Sequence, residues 1–219
     1  TVDVAKIKQK SGTSIYSPDR EQEVLSKIKA LSKGPLRQSA LDAIYREIMS
    51  SSLALGKSLK IAYLGPEASF THLASLKRFG SQVAYVAADN ITDVFLEVER
   101  GAADYGVVPI ENSIEGIVSH TLDMFVDSDL KICAQIVLDV SHNLLANCSK
   151  EKIRRVYSNP QVFGQCRIWL QENLPALELI EVSSTTRAAQ IAAKEKYSAC
   201  IASSLAAKVY NLRVVAADI

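Results

Sequence analysis

From residue 17 to residue 56 the apolar positions recur at three- and four-residue intervals; from residue 59 short apolar runs alternate with such stretches. The first pattern predicts helices and the second alternating strands and helices. Ser17-Pro18 opens a helix striped by Val24, Leu25, Ile28 and Leu31. Serine is a favoured N-cap, and proline's missing N–H costs nothing in the first turn. Gly34-Pro35 ends that helix. A second carries Leu41, Ile44, Ile48, Ser52 and Leu55 on one face and stops at Gly56. Ahead of both, Thr1–Lys10 has the pattern of a helix tail closed by Ser11-Gly12.

The alternating part predicts a strand at Lys60–Leu64, a helix with Leu73, Leu76 and Phe79, and a strand at Val83–Val86. A helix capped by Asn90 and stopped by Gly101 follows, then an apolar strand at Tyr105–Ile110. Lys131–Val140 alternates Ile132, Ala134, Ile136, Leu138 and Val140 and is the longest strand signal. Beyond it the pattern places strands near 156–157, 179–182, 199–202 and 214–215, with helices at 161–170, from Thr186, and up to Tyr210. Such alternation predicts α/β layers with largely parallel strands. One long strand between two α/β sets suggests two lobes joined by a crossing segment.

Composition narrows the function classes. With 48% hydrophobic residues among 219, the chain can bury a sizeable core. Twenty-five Lys and Arg against 24 Asp and Glu leave a formal charge of +1, so no global field gathers nucleic acid or an anionic membrane. Cys133, Cys148, Cys166 and Cys200 are irregularly spaced, and His72, His120 and His142 do not cluster with them. Neither a zinc site nor a disulfide framework is indicated, which fits a reducing cytoplasm. No apolar run reaches the length of a membrane span.

In open α/β sheets ligands bind beyond the carboxyl ends of the strands. Those ends here read Gly65-Pro66-Glu67-Ala68-Ser69, Glu111-Asn112-Ser113, Ser158-Asn159-Pro160-Gln161, Ser183-Ser184-Thr185 and Ser203-Ser204. Small hydroxyl and amide residues at helix starts suit a small carboxylate, because helix N-termini carry unpaired N–H groups and a partial positive charge. Taken singly, each cluster reads equally as a helix cap. Glu111-Asn112 is costly to bury without purpose, or else forms a turn whose Asn caps the next helix. Ser52 interrupts an apolar stripe, or else bonds back to its own helix.

At these residues the sequence resembles the prephenate dehydratase family. The motifs are Gly65-Pro66-Glu67-Ala68-Ser69-Phe70, Val108-Pro109-Ile110-Glu111-Asn112-Ser113-x-x-Gly116, Tyr157-Ser158-x-Pro160-Gln161-x-x-x-Gln165-Cys166, Ser184-Thr185-x-x-Ala188-Ala189 and Ala206-Ala207-x-x-Tyr210-x-Leu212. The helical third resembles the all-helical chorismate mutases that precede the dehydratase in bifunctional proteins of phenylalanine biosynthesis. It does so through Lys8, Pro18-x-Arg20-Glu21-x-Glu23-Val24-Leu25, Gly34-Pro35-Leu36 and Glu47-Ile48-Met49-Ser50-Ser51-Ser52.

The resemblance implies a two-lobed α/β domain like type II periplasmic binding proteins, preceded by a partial all-α mutase domain. The expected boundaries are 1–57 for the mutase part and 58–219 for the dehydratase, with lobe 1 at about 58–138 plus 206–219 and lobe 2 at about 139–205. It implies a lyase that converts prephenate to phenylpyruvate, carbon dioxide and water without a cofactor or metal, alongside an isomerase acting on chorismate. A cytoplasmic homodimer is expected, with no nucleic-acid or membrane partner. Carried over, Glu111, Asn112 and Thr185 are the catalytic candidates. Ser113, Thr121, Ser158, Gln161, Gln165, Ser184 and Ser203 are the substrate-binding candidates, and Lys8, Arg20, Glu21 and Ser52 the mutase-site candidates. The family's Thr-Arg-Phe motif, whose threonine is its favoured acid, has no counterpart here: Thr186-Arg187 is followed by Ala188. The C-terminal regulatory domain and the arginine-bearing first mutase helix are also unmatched. The resemblance therefore implies little turnover by residues 1–219 themselves. The competing expectation is a non-catalytic two-lobed module that binds a small carboxylate.

Overall fold

The computed structural model describes residues 17–56 and 59–219. The chain divides into two compact units. One comprises the described residues up to Leu64 with Ala74–Val137; the other comprises Gly65–Leu73 with Leu138–Ile219.

The first unit opens with helices α1 (Pro18–Leu31) and α2 (Gln38–Gly56). It continues with β1 (Lys60–Leu64), most of α3 (Phe70–Phe79), β2 (Ala84–Ala88), α4 (Ile91–Glu99) and β3 (Tyr105–Val107). The strands lie in the order β2-β1-β3, all parallel, with Ile61 opposite both Tyr85 and Tyr105. Strand alternation sends Ile61 and Tyr63 to a core with Phe79, Val83 and Leu53, and Ala62 to the opposite core with Val94 and Ala103. After β3 come a short hairpin, β4 (Glu111–Asn112) and β5 (Gly116–Ile117), and helix α5 (Ser119–Asp127).

The helical segment packs on this unit through its polar side. Glu47 accepts from Ser81 N–H at 3.1 Å and from its hydroxyl at 2.6 Å. Ser50, 1% exposed, accepts from Gln82 N–H at 3.1 Å. Arg78 lies 3.7 Å from Glu21, and both side chains are mostly covered. This contact turns α2 away from the orientation its apolar stripe suggested. Ile44 and Ile48 are 47% and 52% exposed, while Ser50 and Leu53 face inward. Ser17 stands at the N-cap of α1 but its side chain makes no capping bond.

The second unit is a five-stranded sheet in the order β10-β6-β9-β7-β8. Its strands are β6 (Asn143–Ala146), β7 (Arg155–Ser158), β8 (Glu178–Glu181), β9 (Ser198–Ala202) and β10 (Arg213–Ala216). Helices α6 (Pro160–Gln165) and α7 (Arg167–Asn173) cover one face, where Leu144, Val156 and Ile201 meet Val162, Phe163 and Leu170. Helices α8 (Thr185–Lys194) and α9 (Ser204–Val209) cover the other, where Leu145, Tyr157 and Cys200 meet Ala188, Ala189 and Ala206. The single helix expected at 161–170 breaks at Cys166, the C-cap of α6.

Two expectations are corrected. Lys131–Val140 forms no strand. Alternation marks a half-buried strand only where a neighbour completes its ladder; here Ile132 and Val137 are 66% and 71% exposed, and Ile136 alone packs on the first core. The strand in that region is β6, buried at all four positions and therefore not alternating. Second, neither Gly65–Leu73 nor residues 206–219 join the first lobe. β10 pairs antiparallel with β6, Arg213 opposite Ala146 and Val214 opposite Leu145, so this segment closes the second sheet.

Candidate functional site

In the second unit β7, β8 and β9 run parallel, Tyr157 lying opposite both Ile180 and Cys200. Their carboxyl ends therefore share one edge of the sheet, and this brings together four candidates: Ser158, Ser184, Thr185 and Ser203. The edge is tied across by backbone and side chain. Val182 N–H donates to Ser158 O at 2.9 Å, and the Asn159 amide donates to Ser183 O at 3.3 Å.

The hydroxyls at this edge divide into two kinds. Ser158 is fully buried and donates to Ile201 O at 2.9 Å. Ser203, 1% exposed, donates to Ala68 O at 3.0 Å and accepts from Ala206 N–H as N-cap of α9. These two brace the strand ends. Ser184 caps α8 by accepting from Arg187 N–H at 3.1 Å, as the capping reading expected. Both Ser184 and Thr185 keep partial exposure at the start of that ten-residue helix, where N–H groups and the helix dipole favour an anion. Gln161 is exposed at the start of α6, next to the capping Asn159. Gln165 pairs with buried His142, its Oε1 lying 2.7 Å from Nε2.

The first unit carries the other candidates after β3. Glu111 and Asn112 form a strand of the β4–β5 hairpin rather than a helix start. Asn112 Oδ1 accepts from the N–H groups of Ile114 and Glu115 at 2.8 and 3.3 Å and closes the turn. Glu111 and Ser113 are exposed, and Asn112 is half-buried. Thr121 is fully buried and donates to Pro109 O at 2.6 Å, tying α5 to the segment that leads into the hairpin.

Among the described residues the mutase candidates each have a different partner. The Arg20 guanidinium pairs with Glu23 on the exposed face of α1, whereas Glu21 faces Arg78. Ser52 bonds back to Ile48 O at 2.8 Å, as one of its two readings expected. Lys8 and the helix tail of Thr1–Lys10 lie outside the described residues.

The structure adds groups that sequence reasoning passed over. Ala68 sits in the left-handed region (φ 66°) and is 1% exposed. Its N–H donates to His72 Nδ1 at 3.1 Å, and Thr186 Oγ1 donates to Glu67 O at 3.1 Å. Burial holds the His72 imidazole below its ordinary pKa, opposed only by the Glu67 carboxylate. Only the Gly65-Pro66 pair pointed to a special turn there; nothing marked Ala68 as left-handed. Among the described residues no group of three or more His, Cys, Asp or Glu side chains is placed to hold a metal ion. No described helix is long and apolar enough to cross a membrane.

Parallel strands with helix starts at one edge, on two separate units, place the chain in the two-lobed α/β class. Comparison with known proteins fixes the family. The prephenate dehydratase family matches residues 61–219, and the type II chorismate mutase family matches residues 1–57. The chain belongs to the prephenate dehydratase family, and the segment before that match is similar to type II chorismate mutases. It is 47% identical over 221 residues to the bifunctional chorismate mutase/prephenate dehydratase of Aquifex aeolicus, covering 99% of this chain and 61% of that protein. It is 44% identical to the protein of the same description from Pseudomonas aeruginosa, covering 96% and 60%. The chain thus spans about three fifths of the length of these relatives. Among solved structures, a prephenate dehydratase from Arthrobacter aurescens in complex with L-Phe aligns with TM-score 0.67 and 30% identity, covering 74% of this chain and 55% of that one.

Proposed function

We propose that this chain binds prephenate and belongs to an enzyme that converts it to phenylpyruvate, carbon dioxide and water. The observation that carries the proposal is the shared strand edge of the second unit, where half-exposed Ser184 and Thr185 start α8 beside the ends of β7 and β9. Prephenate carries two carboxylates. A helix start with neutral donors holds a carboxylate without a matching cation, which suits a chain of near-zero net charge.

Loss of carbon dioxide and departure of the ring hydroxyl aromatise the ring, and aromatisation supplies much of the driving force. The protein's work is to orient the dianion and assist the leaving hydroxyl with a proton or hydrogen bond. Thr185, Glu111 and Asn112 are proposed for direct roles in that chemistry. Ser113, Gln161, Gln165 and Ser184 are proposed for substrate binding, and buried Thr121, Ser158 and Ser203 for shaping the segments that present them. The helical segment is proposed to belong to a chorismate mutase, the enzyme as a whole to a cytoplasmic homodimer, and the boundary between the two parts to lie near residue 57.

Calorimetry with prephenate, beside an ultraviolet assay for phenylpyruvate, tests the proposal. Saturable binding by this chain, with phenylpyruvate formed once it is extended to the length of its relatives, is the expected result. Binding with no phenylpyruvate from the extended protein would leave a carboxylate-binding module. No binding would sink both readings.

A further inference from the structure

We propose that Thr186, Ser203 and His72 are positioning residues that hold the Gly65–Ser69 turn in the one conformation the substrate site uses; the inference rests on the dehydratase reading above. Ala68 occupies the left-handed region without being glycine (φ 66°), a conformation an L-residue keeps only when its surroundings over-determine it. They do so from three separate elements. His72 in α3 accepts from Ala68 N–H, Ser203 before α9 donates to Ala68 O, and Thr186 in the first turn of α8 donates to Glu67 O. The three side chains are 8%, 1% and 2% exposed.

Three buried polar side chains are thus committed to two adjacent peptide groups of a five-residue turn. Closing the turn does not require them, because Ser69 N–H already donates to Pro66 O at 3.1 Å. What they add is orientation. With both peptide planes fixed, the turn can neither flip nor relax to an extended backbone, and the exposed Glu67 and the start of α3 are presented in one arrangement. Buried, fully partnered polar groups of this kind specify a unique local structure. The clamp is also built from the segments that carry the substrate candidates: Thr186 directly follows Thr185, and Ser203 follows β9 at the edge shared with Ser158. His72 accepts at Nδ1 only with its proton on Nε2, and its burial favours that neutral ring.

The test is calorimetric titration of prephenate into this chain and its variants, with thermal unfolding of each. Thr186→Val keeps the side-chain shape and removes the donor; Thr186→Ser keeps the donor. The expected result is at least a tenfold weaker Kd for Thr186→Val, parent-like affinity for Thr186→Ser, and melting temperatures within a few degrees of the parent. The double variant Ala68→Gly, Thr186→Val should recover part of the loss, because glycine reaches the left-handed region without the Cβ strain. Should Thr186→Val fail to fold, Ser203→Ala is measured in the same way, with the same tenfold loss expected. Parent-like affinity for the donor-free variant would overturn the clamp and leave the dehydratase reading standing. An equal loss in Thr186→Ser would also overturn it, because that variant keeps the donor. A parent chain that binds no prephenate would overturn both.

Discussion

Gly80 closes α3 where its end meets α2, and replacing it by alanine probes that contact directly. Gly80 N–H donates to Leu76 O at 2.9 Å, and the residue turns left-handed at φ 76°. An alanine there bears the left-handed penalty of about 1–2 kcal/mol. It also meets a neighbour: the added Cβ would lie 2.6 Å from Ser50 Cβ and 2.8 Å from its Oγ. Ser50 Cβ is fixed by the α2 backbone and cannot rotate away, so the helix itself must shift, an overpacking cost of about 1–3 kcal/mol. Gly80→Ala should therefore destabilise the chain by about 2–5 kcal/mol in urea unfolding followed by circular dichroism. Hydrogen exchange should place the loss in peptides covering residues 78–86. In a Ser50→Gly background the steric part vanishes, and the same substitution should cost only the conformational part. Equal costs in the two backgrounds would refute the contact between α2 and the Gly80 turn.

Three further outcomes follow from burial and charge. Leu144 is fully buried in the second sheet, so Leu144→Ala should cost about 2–5 kcal/mol in the same unfolding assay. His72 has its folded pKa depressed below the ordinary 6.5 by burial, so the fold favours the neutral ring. Its contribution is full above the unfolded pKa and is lost as the pH falls through the depressed folded value. The urea midpoint should thus fall as the pH drops from the ordinary value through the depressed one, and less so in His72→Gln, where an unchanged slope would refute the assignment. Burial pushes the Cys166 and Cys200 thiols up to about 11 and about 12, whereas Cys133 is exposed. Thiol labelling at pH 8 read by mass spectrometry should modify Cys133 first, and Cys166 and Cys200 only on unfolding.

Local signals in the sequence were read well where one short segment decides the outcome. Asn90, Ser184 and Ser203 cap the helices they precede, and Gly80 and Gly101 stop theirs in the left-handed conformation. The strand–helix alternation after residue 59 survives as two sheets. The misreadings share one cause: they depend on a partner distant in sequence. Lys131–Val140 has the period of a strand but no ladder, and β10 joins β6 across some seventy residues of chain. Ile44 and Ile48 of the α2 stripe face outward because Ser50 and Glu47, polar and unremarkable in sequence, make the contact with the turn at residues 80–82. At the candidate site, residue types were legible but commitments were not. Thr121, Ser158 and Ser203 look like free donors in a motif, yet each donates its hydroxyl proton to a backbone carbonyl.

The most direct test of the central claim is hydrogen exchange of this chain with and without saturating prephenate. Slowed exchange in peptides covering residues 158–165, 183–187 and 202–206 is the predicted result, because those segments form the strand edge proposed to hold the substrate. Unchanged exchange there, or protection confined to other segments, would contradict it.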